Sequence, residues 1–112
     1  MTAPERLRRN DDIVAALRGA RRNGRLTALH VRARSDEGPP RFAVVASRRV
    51  GGAVERNRAK RLLRETARGL AWGRGQDLVL VARSGCPRAG LREVQAEVGA
   101  LARDLSVLQE RG

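Results

Sequence analysis

The segment between Gly51-Gly52 and Gly73 carries two incompatible sets of side chains, and a helix is the structure that separates them. At about 100° per residue, Leu62, Leu63, Thr66, Ala67 and Leu70 gather around Ala59 as one apolar stripe. Lys60, Arg61, Arg64 and Arg68 fall on the opposite side with Asn57 among them, and Arg56 and Arg58 flank this ridge nearer the helix start. The spacing predicts a helix from about residue 54 to about 70, with one side anchored in a core and the other facing out. Lys60/Arg64 and Arg64/Arg68 are like charges at i, i+4, each pair opposing the helix by roughly a few tenths of a kcal/mol. Only Glu65 is placed to relieve them, through Arg61 or Arg68. A ridge of one sign at this spacing suits a polyanionic partner.

The flanking sequence supplies elements for that helix to pack on. Residues 1–9 read as a flexible basic arm bearing Arg6, Arg8 and Arg9. Asn10 offers an N-cap with Asp11 and Asp12 in the first turn, Ile13, Ala16 and Leu17 share one helical face, and Gly19 ends the segment. Residues 20–25 read as a loop. Leu29, Val31 and Ala33 alternate with His30, Arg32 and Arg34, the period of a half-buried strand. Phe42 to Ala46 is a continuous apolar run, as in a strand covered on both faces. Leu78 to Ala82 repeats that pattern, and Gly85-Cys86-Pro87 breaks it. From about residue 88, Leu91, Val94, Val98, Leu101, Leu105 and Leu108 return at spacings of three and four, a last amphipathic helix. The order is α-β-β-α-β-α with room for one more short strand, in one α/β (α+β) domain over residues 1–112.

Charge locates the working surface. The chain has 112 residues and a net charge of +12, with 24 cations of which Lys60 is the only lysine. Residues 6–34 carry +7 and residues 41–75 carry +8, while residues 76–112 are neutral. The last third reads as scaffold and the first two thirds as binding surface. Phe42 and Trp72 are the only aromatics, so the core is aliphatic and few rings are present to stack bases. With one cysteine, Cys86, neither a disulfide framework nor an all-protein zinc site is expected. No apolar run approaches the roughly 18 residues of a membrane span, and the N-terminus is polar from the start. An intracellular, cytoplasmic nucleic-acid binder without a membrane partner is expected.

Catalytic groups are not expected in the chain. His30 stands alone on a strand, as an exposed residue or an RNA contact. Asp11 and Asp12 point to different helix faces, and Cys86 lacks a basic partner at motif spacing. No metal ligands and no protein-held cofactor are expected. Arginine's planar fork grips phosphate bidentately and lies flat on a base. Asn57 either bonds a base edge or 2′-hydroxyl or caps the helix start. Arg48 and Arg49 end the central strand beside a helix N-terminus, whose free amides also suit phosphate. Trp72 covers the end of the central helix.

Residues 48–65, RRVGGAVERNRAKRLLRE, resemble the Arg-Asn-Arg motif of the bacterial ribonuclease P protein family. The match runs through Ala53-Val54, Arg56-Asn57-Arg58, Lys60-Arg61 and Arg64, and the opening Arg6-Leu7-Arg8-Arg9-Asn10-Asp11-Asp12 is similar to the family's start. The resemblance implies a two-layer sandwich with a central, mostly antiparallel sheet and a left-handed β-α-β crossover at the motif helix, against the usual hand. It implies that the partner is the catalytic RNA of ribonuclease P, bound through Arg56, Asn57, Arg58, Lys60, Arg61 and Arg64, with Arg68 continuing the ridge. It further implies that a cleft takes the 5′ leader of precursor tRNA, along Ser47, Arg48, Arg49 and Arg83. Ile13, Leu17, Ala28 and Val31 stand where the family commonly has aromatics facing the leader; Ile13 and Leu17 read equally as core. The activity implied is endonucleolytic removal of the leader, with Mg2+ held by the RNA. Two other readings stay open: a non-enzymatic ribosomal-type RNA binder, and a DNA-binding module. The strand and double glycine before the helix argue against a helix-turn-helix, so DNA is not expected.

Overall fold

The computed structural model describes residues 4–109, in which five strands form one sheet in the order β1-β4-β5-β3-β2. The strands are β1 (Glu5–Arg6), β2 (Ala20–Asn23), β3 (Thr27–Ala33), β4 (Arg41–Val45) and β5 (Gln76–Ala82). The helices are α1 (Asn10–Leu17), α2 (Ala53–Gly69) and α3 (Leu91–Asp104), with 3-10 turns at Arg48–Val50 and Cys86–Arg88. β4 and β5 are adjacent and parallel, joined through α2, while β3 runs antiparallel to β5 and to β2. The longest register, from Thr27↔Ala82 to Ala33↔Gln76, is antiparallel. β1–β4 and β4–β5 are parallel, so the sheet is more mixed than the mostly antiparallel one the resemblance implies.

Alternation sorts the strand residues onto two faces. Leu29, Val31, Phe42, Leu78, Leu80 and Ala82 face Ala59, Leu63 and Ala67 of α2 and Val94, Val98, Leu101 and Ala102 of α3. Ala43, Val45, Val79 and Val81 face the other way, toward Leu7, Ile13, Ala16 and Leu17. The main sandwich is therefore the sheet with α2 and α3, and α1 covers part of the second face. Leu29, Leu63, Leu78 and Leu80 have no exposed surface, and each such side chain stabilises the fold by about 1.5–3 kcal/mol. Trp72 lies over the end of α2, its Nε1 donating to the Ala67 carbonyl at 2.8 Å.

Four expectations change. The segment at residues 20–25 is not a loop: Ala20–Asn23 pairs with Val31 to Ala28, although every β2 side chain is exposed and no apolar period marks it. The segment at residues 4–9 is not a loose arm, because Glu5 N–H donates to the Pro40 carbonyl at 2.8 Å and Leu7 N–H to that of Phe42 at 2.7 Å. Leu7 is buried against Ala16 and Val79; residues 1–3 of the expected arm lie outside the described residues. Asn10 is the first residue of α1 rather than its cap, and Arg9 at the cap makes no side-chain bond to the helix. α3 ends at Asp104, and Leu105 and Leu108 reach the core from the turn beyond it, where Ser106 has φ 56°.

Two polar devices lock the sheet ends. Asp77 is fully buried and accepts from Arg34 Nη1 and from Arg41 Nε and Nη2, each at 2.8 Å. Glu97 of α3 caps the β2–β3 turn, accepting from the backbone N–H of Arg25 at 2.7 Å and Leu26 at 3.0 Å and from Thr27 Oγ1 at 2.6 Å. Gly75 leads into β5 at φ 71°, and a Cβ there would strike the Asp36 carbonyl. Gly75→Ala is therefore expected to destabilise the fold by about 2 kcal/mol through left-handed strain alone, more if the clash is not relieved. The shift in the urea midpoint at unchanged m checks it.

Candidate nucleic-acid interface

α2 begins after Gly52, without a side-chain cap, and runs to Gly69. Ala59, Leu63, Thr66 and Ala67 are its buried residues. Asn57, Arg58, Arg61 and Arg68 are exposed, and Arg56, Lys60 and Arg64 half-buried. The helix thus separates its two sets as the periodicity requires. Asn57 sits beyond the first turn and does not cap the helix, which leaves its amide for a partner.

The ion pairs among the described residues join Arg25 to Glu93, Arg34 to Asp36 and Asp77, and Arg41 to Asp12 and Asp77. None involves a cation of α2. The relief expected from Glu65 toward Arg61 or Arg68 is not made. Val54, Arg58, Arg61, Leu62 and Glu65 instead line a shallow groove on the outer flank of the helix, where Val54 is 79% exposed. Helix α2 therefore presents six uncompensated cations to solvent, and an anionic polymer is what would neutralise them.

Two concavities border this ridge. The first, of about 340 Å³, lies at the β1 edge of the sheet. Arg6 and Arg8 line it with Arg64 of α2, over a floor of Leu7, Ile13, Phe42, Ala43 and Val44. The short parallel pairing of β1 holds Arg6 there, so these arginines continue the helix ridge around the sheet edge. Arg9 is exposed and lies outside both concavities.

The second, of about 410 Å³, opens at the carboxyl ends of the parallel strands β4 and β5, on the face that α1 covers only in part. Open α/β sheets place ligands at such strand ends. Ser47, Arg49 and Arg83 line this cleft; Arg48 is exposed in the adjoining 3-10 turn and does not. Ser47 Oγ accepts from the Arg49 N–H at 3.3 Å and so fixes the start of that turn. Val31 does not reach the cleft. It is buried on the opposite face beneath the helices, since it shares the parity of Leu29, and Ala28 and His30 are the β3 residues that face the cleft. Ile13 and Leu17 pack half-buried against the smaller core under α1, and Ile13 also borders the first concavity. Arg21, Asn23, His30 and Ser84 also line the cleft. The alternation of β3 carried the signal for His30; nothing in the pattern of β2 marked Arg21 and Asn23.

Reactive groups are sparse. Burial pushes the Cys86 thiol up to about 11, with Glu97 adding to the shift, so at neutral pH it is a protonated core side chain. Among the described residues no three His, Cys, Asp or Glu side chains come together to hold a metal ion. No described helix is long and apolar enough to cross a membrane.

The family model described as Ribonuclease P matches residues 1–106. The ribonuclease P protein component of Caulobacter vibrioides (strain NA1000 / CB15N) is 40% identical over 93 residues, covering 80% of this chain and 60% of that protein. The chain thus spans less than two thirds of that relative's length. The ribonuclease P protein component of Rhodococcus opacus (strain B4) is 39% identical over 106 residues, covering 87% of this chain and 85% of the relative. The solved RNase P protein from Thermotoga maritima superposes with a TM-score of 0.73 at 26% identity, over 88% of this chain and 96% of that one. The Staphylococcus aureus RNase P protein shares the fold, with a TM-score of 0.77 at 19% identity, over 93% and 97%.

Proposed function

The chain belongs to the ribonuclease P protein family, and on that premise we propose that it is the protein subunit of a ribonucleoprotein endonuclease that removes the 5′ leader from precursor tRNA. The observation that carries this reading is the face of α2: Arg56, Asn57, Arg58, Lys60, Arg61, Arg64 and Arg68 project from a helix anchored in the core, and among the described residues none of its cations forms an ion pair with an acid. That face binds the catalytic RNA. Arg6 and Arg8 extend it around the sheet edge. The cleft lined by Ser47, Arg49 and Arg83 receives the leader, whose phosphates the arginines grip. Its floor of Ala28 and Val81 is aliphatic, so the leader is held by charge and hydrogen bonds rather than by stacking on rings. The work belongs in the cytoplasm, where precursor tRNA is processed.

The chain's chemical contribution is electrostatic. Two phosphate backbones, that of the catalytic RNA and that of the substrate, must approach closely, and an arginine surface between them lowers their repulsion. The Mg2+ that supports hydrolysis is held by the RNA. Adding the protein to the catalytic RNA at low Mg2+ is expected to restore leader removal. A protein that leaves cleavage unchanged there, or that instead co-purifies with ribosomal subunits, overturns the assignment.

A further inference from the structure

We infer that the concavity at the β1 edge is a single-nucleotide pocket, in which three arginines grip phosphate and the open backbone of Val44 reads the base. The inference rests on the proposed function and deepens it, because an arginine face that only grips phosphate recognises no base.

The pocket exists because one strand stops short. β1 pairs with β4 only through Glu5↔Arg41 and Arg6↔Phe42. The last bond along this edge runs from the Leu7 N–H to the Phe42 carbonyl at 2.7 Å. The chain then turns away to begin α1 at Asn10, while β4 continues to Val45. In a parallel ladder a residue turns its N–H and carbonyl to the same neighbour, and the next residue turns them to the other side. Phe42 points to β1, so Val44 points the same way, where no described strand lies. Val44 also lines the concavity. Its N–H and carbonyl are therefore a donor and an acceptor, side by side, on an open sheet edge.

The surroundings select the partner. Arg6, Arg8 and Arg64 line the same space, the first two from β1 and the bend after it and the third from α2. None of them forms an ion pair among the described residues. Guanidinium groups that converge without an acid suit phosphate. Between them Ile13, Ala43 and Val44 give an aliphatic floor. The volume of about 340 Å³ is at the small end of ligand sites, the size for one nucleotide. A base splayed out of its stack presents donors and acceptors on one edge, and the Val44 carbonyl and N–H complement them. A strand from a second copy would bring the same net charge of +12 and is repelled by the three arginines.

The nucleotide is an unpaired unit of the catalytic RNA or a free nucleoside monophosphate, and two arms separate these sources. In the first, the affinity of the full chain is measured for catalytic RNAs that each lack one unpaired base. One such deletion is expected to weaken wild-type binding roughly three- to tenfold. Val44→Pro removes the N–H at an edge position where proline is tolerated. It is expected to lose a similar factor on intact RNA and nothing further at the sensitive position. In the second arm, the Val44 amide resonance is followed by NMR as a nucleoside monophosphate or inorganic phosphate is added to the full chain. A sensitive base in the RNA assigns the pocket to an RNA unit. A Val44 shift with the monophosphate and not with phosphate, in the absence of any sensitive base, assigns it to a free nucleotide. No sensitive base together with an unmoved Val44, or Val44→Pro losing as much as wild type at the sensitive position, overturns the inference. The wild-type series and the amide decide the matter even if Val44→Pro folds poorly. A wild-type chain that does not bind the catalytic RNA at all removes the subunit reading instead, and the second arm still tests the pocket.

Discussion

The double substitution Arg58→Ala/Arg61→Ala is expected to weaken binding of the catalytic RNA by about a hundredfold or more. Both side chains are exposed on α2 and form no ion pair among the described residues. Each charge-assisted bond to phosphate contributes about 1.5–3 kcal/mol, and two together exceed a factor of ten by a wide margin. The diagnostic is the salt dependence. Removing one arginine–phosphate pair should flatten the plot of log affinity against log salt by about 0.7–0.9, so the double variant should have a slope shallower by about 1.5. Binding is to be measured over about 50–200 mM salt, where such slopes are steep. Unfolding by urea should be nearly unchanged, since two members of a self-repelling row have been removed. An unaltered slope would mean that RNA meets another face.

The second large effect is on the fold. Asp77→Ala is expected to cost about 3–5 kcal/mol of stability. Asp77 has no exposed surface, and the side chains of Arg34 and Arg41 are only 10% and 30% exposed. Truncation leaves two guanidinium groups partly desolvated, facing one another and stripped of three hydrogen bonds. Arg34 keeps Asp36 and the Pro39 carbonyl, and Arg41 keeps only the longer 3.8 Å approach to Asp12. Replacing all three residues together with apolar ones of similar volume should recover most of the loss, because no charge is then stranded. Urea midpoints at constant m measure both variants. A loss below about 1 kcal/mol for Asp77→Ala would show that water reaches the arginines freely.

What could be read in the residues followed from how strongly each was constrained. α2 was legible because its apolar stripe and its cations repeat with one period over many turns, and α3 for the same reason. β4 and β5 were legible as apolar runs. β1 and β2 were not: their side chains are exposed, and they are strands only because β4 and β3 offer backbone partners. Missing β2 hid Arg21 and Asn23 from the cleft. The alternation of β3 had already set Val31 with Leu29 and His30 on the opposite face; the resemblance moved Val31 toward the leader, and the fold returns it to the core. Arg34 and Arg41 counted toward a basic surface until the fold brought Asp77 between them. That is a long-range pairing no local pattern encodes.

The sheet order has a consequence for biogenesis. β5 sits in the middle of the sheet, with β4 on one side and β3 on the other, yet it is the last strand to leave the ribosome. Until residues 76–82 emerge, β3 and β4 cannot be bridged, and the arginine-rich remainder hangs as an unclosed, strongly cationic nascent polypeptide. Such non-local closure is slow and leaves strand edges open meanwhile. The neutral final third is thus a keystone as well as a scaffold: translation must reach it before the basic helix acquires the seat that aims it.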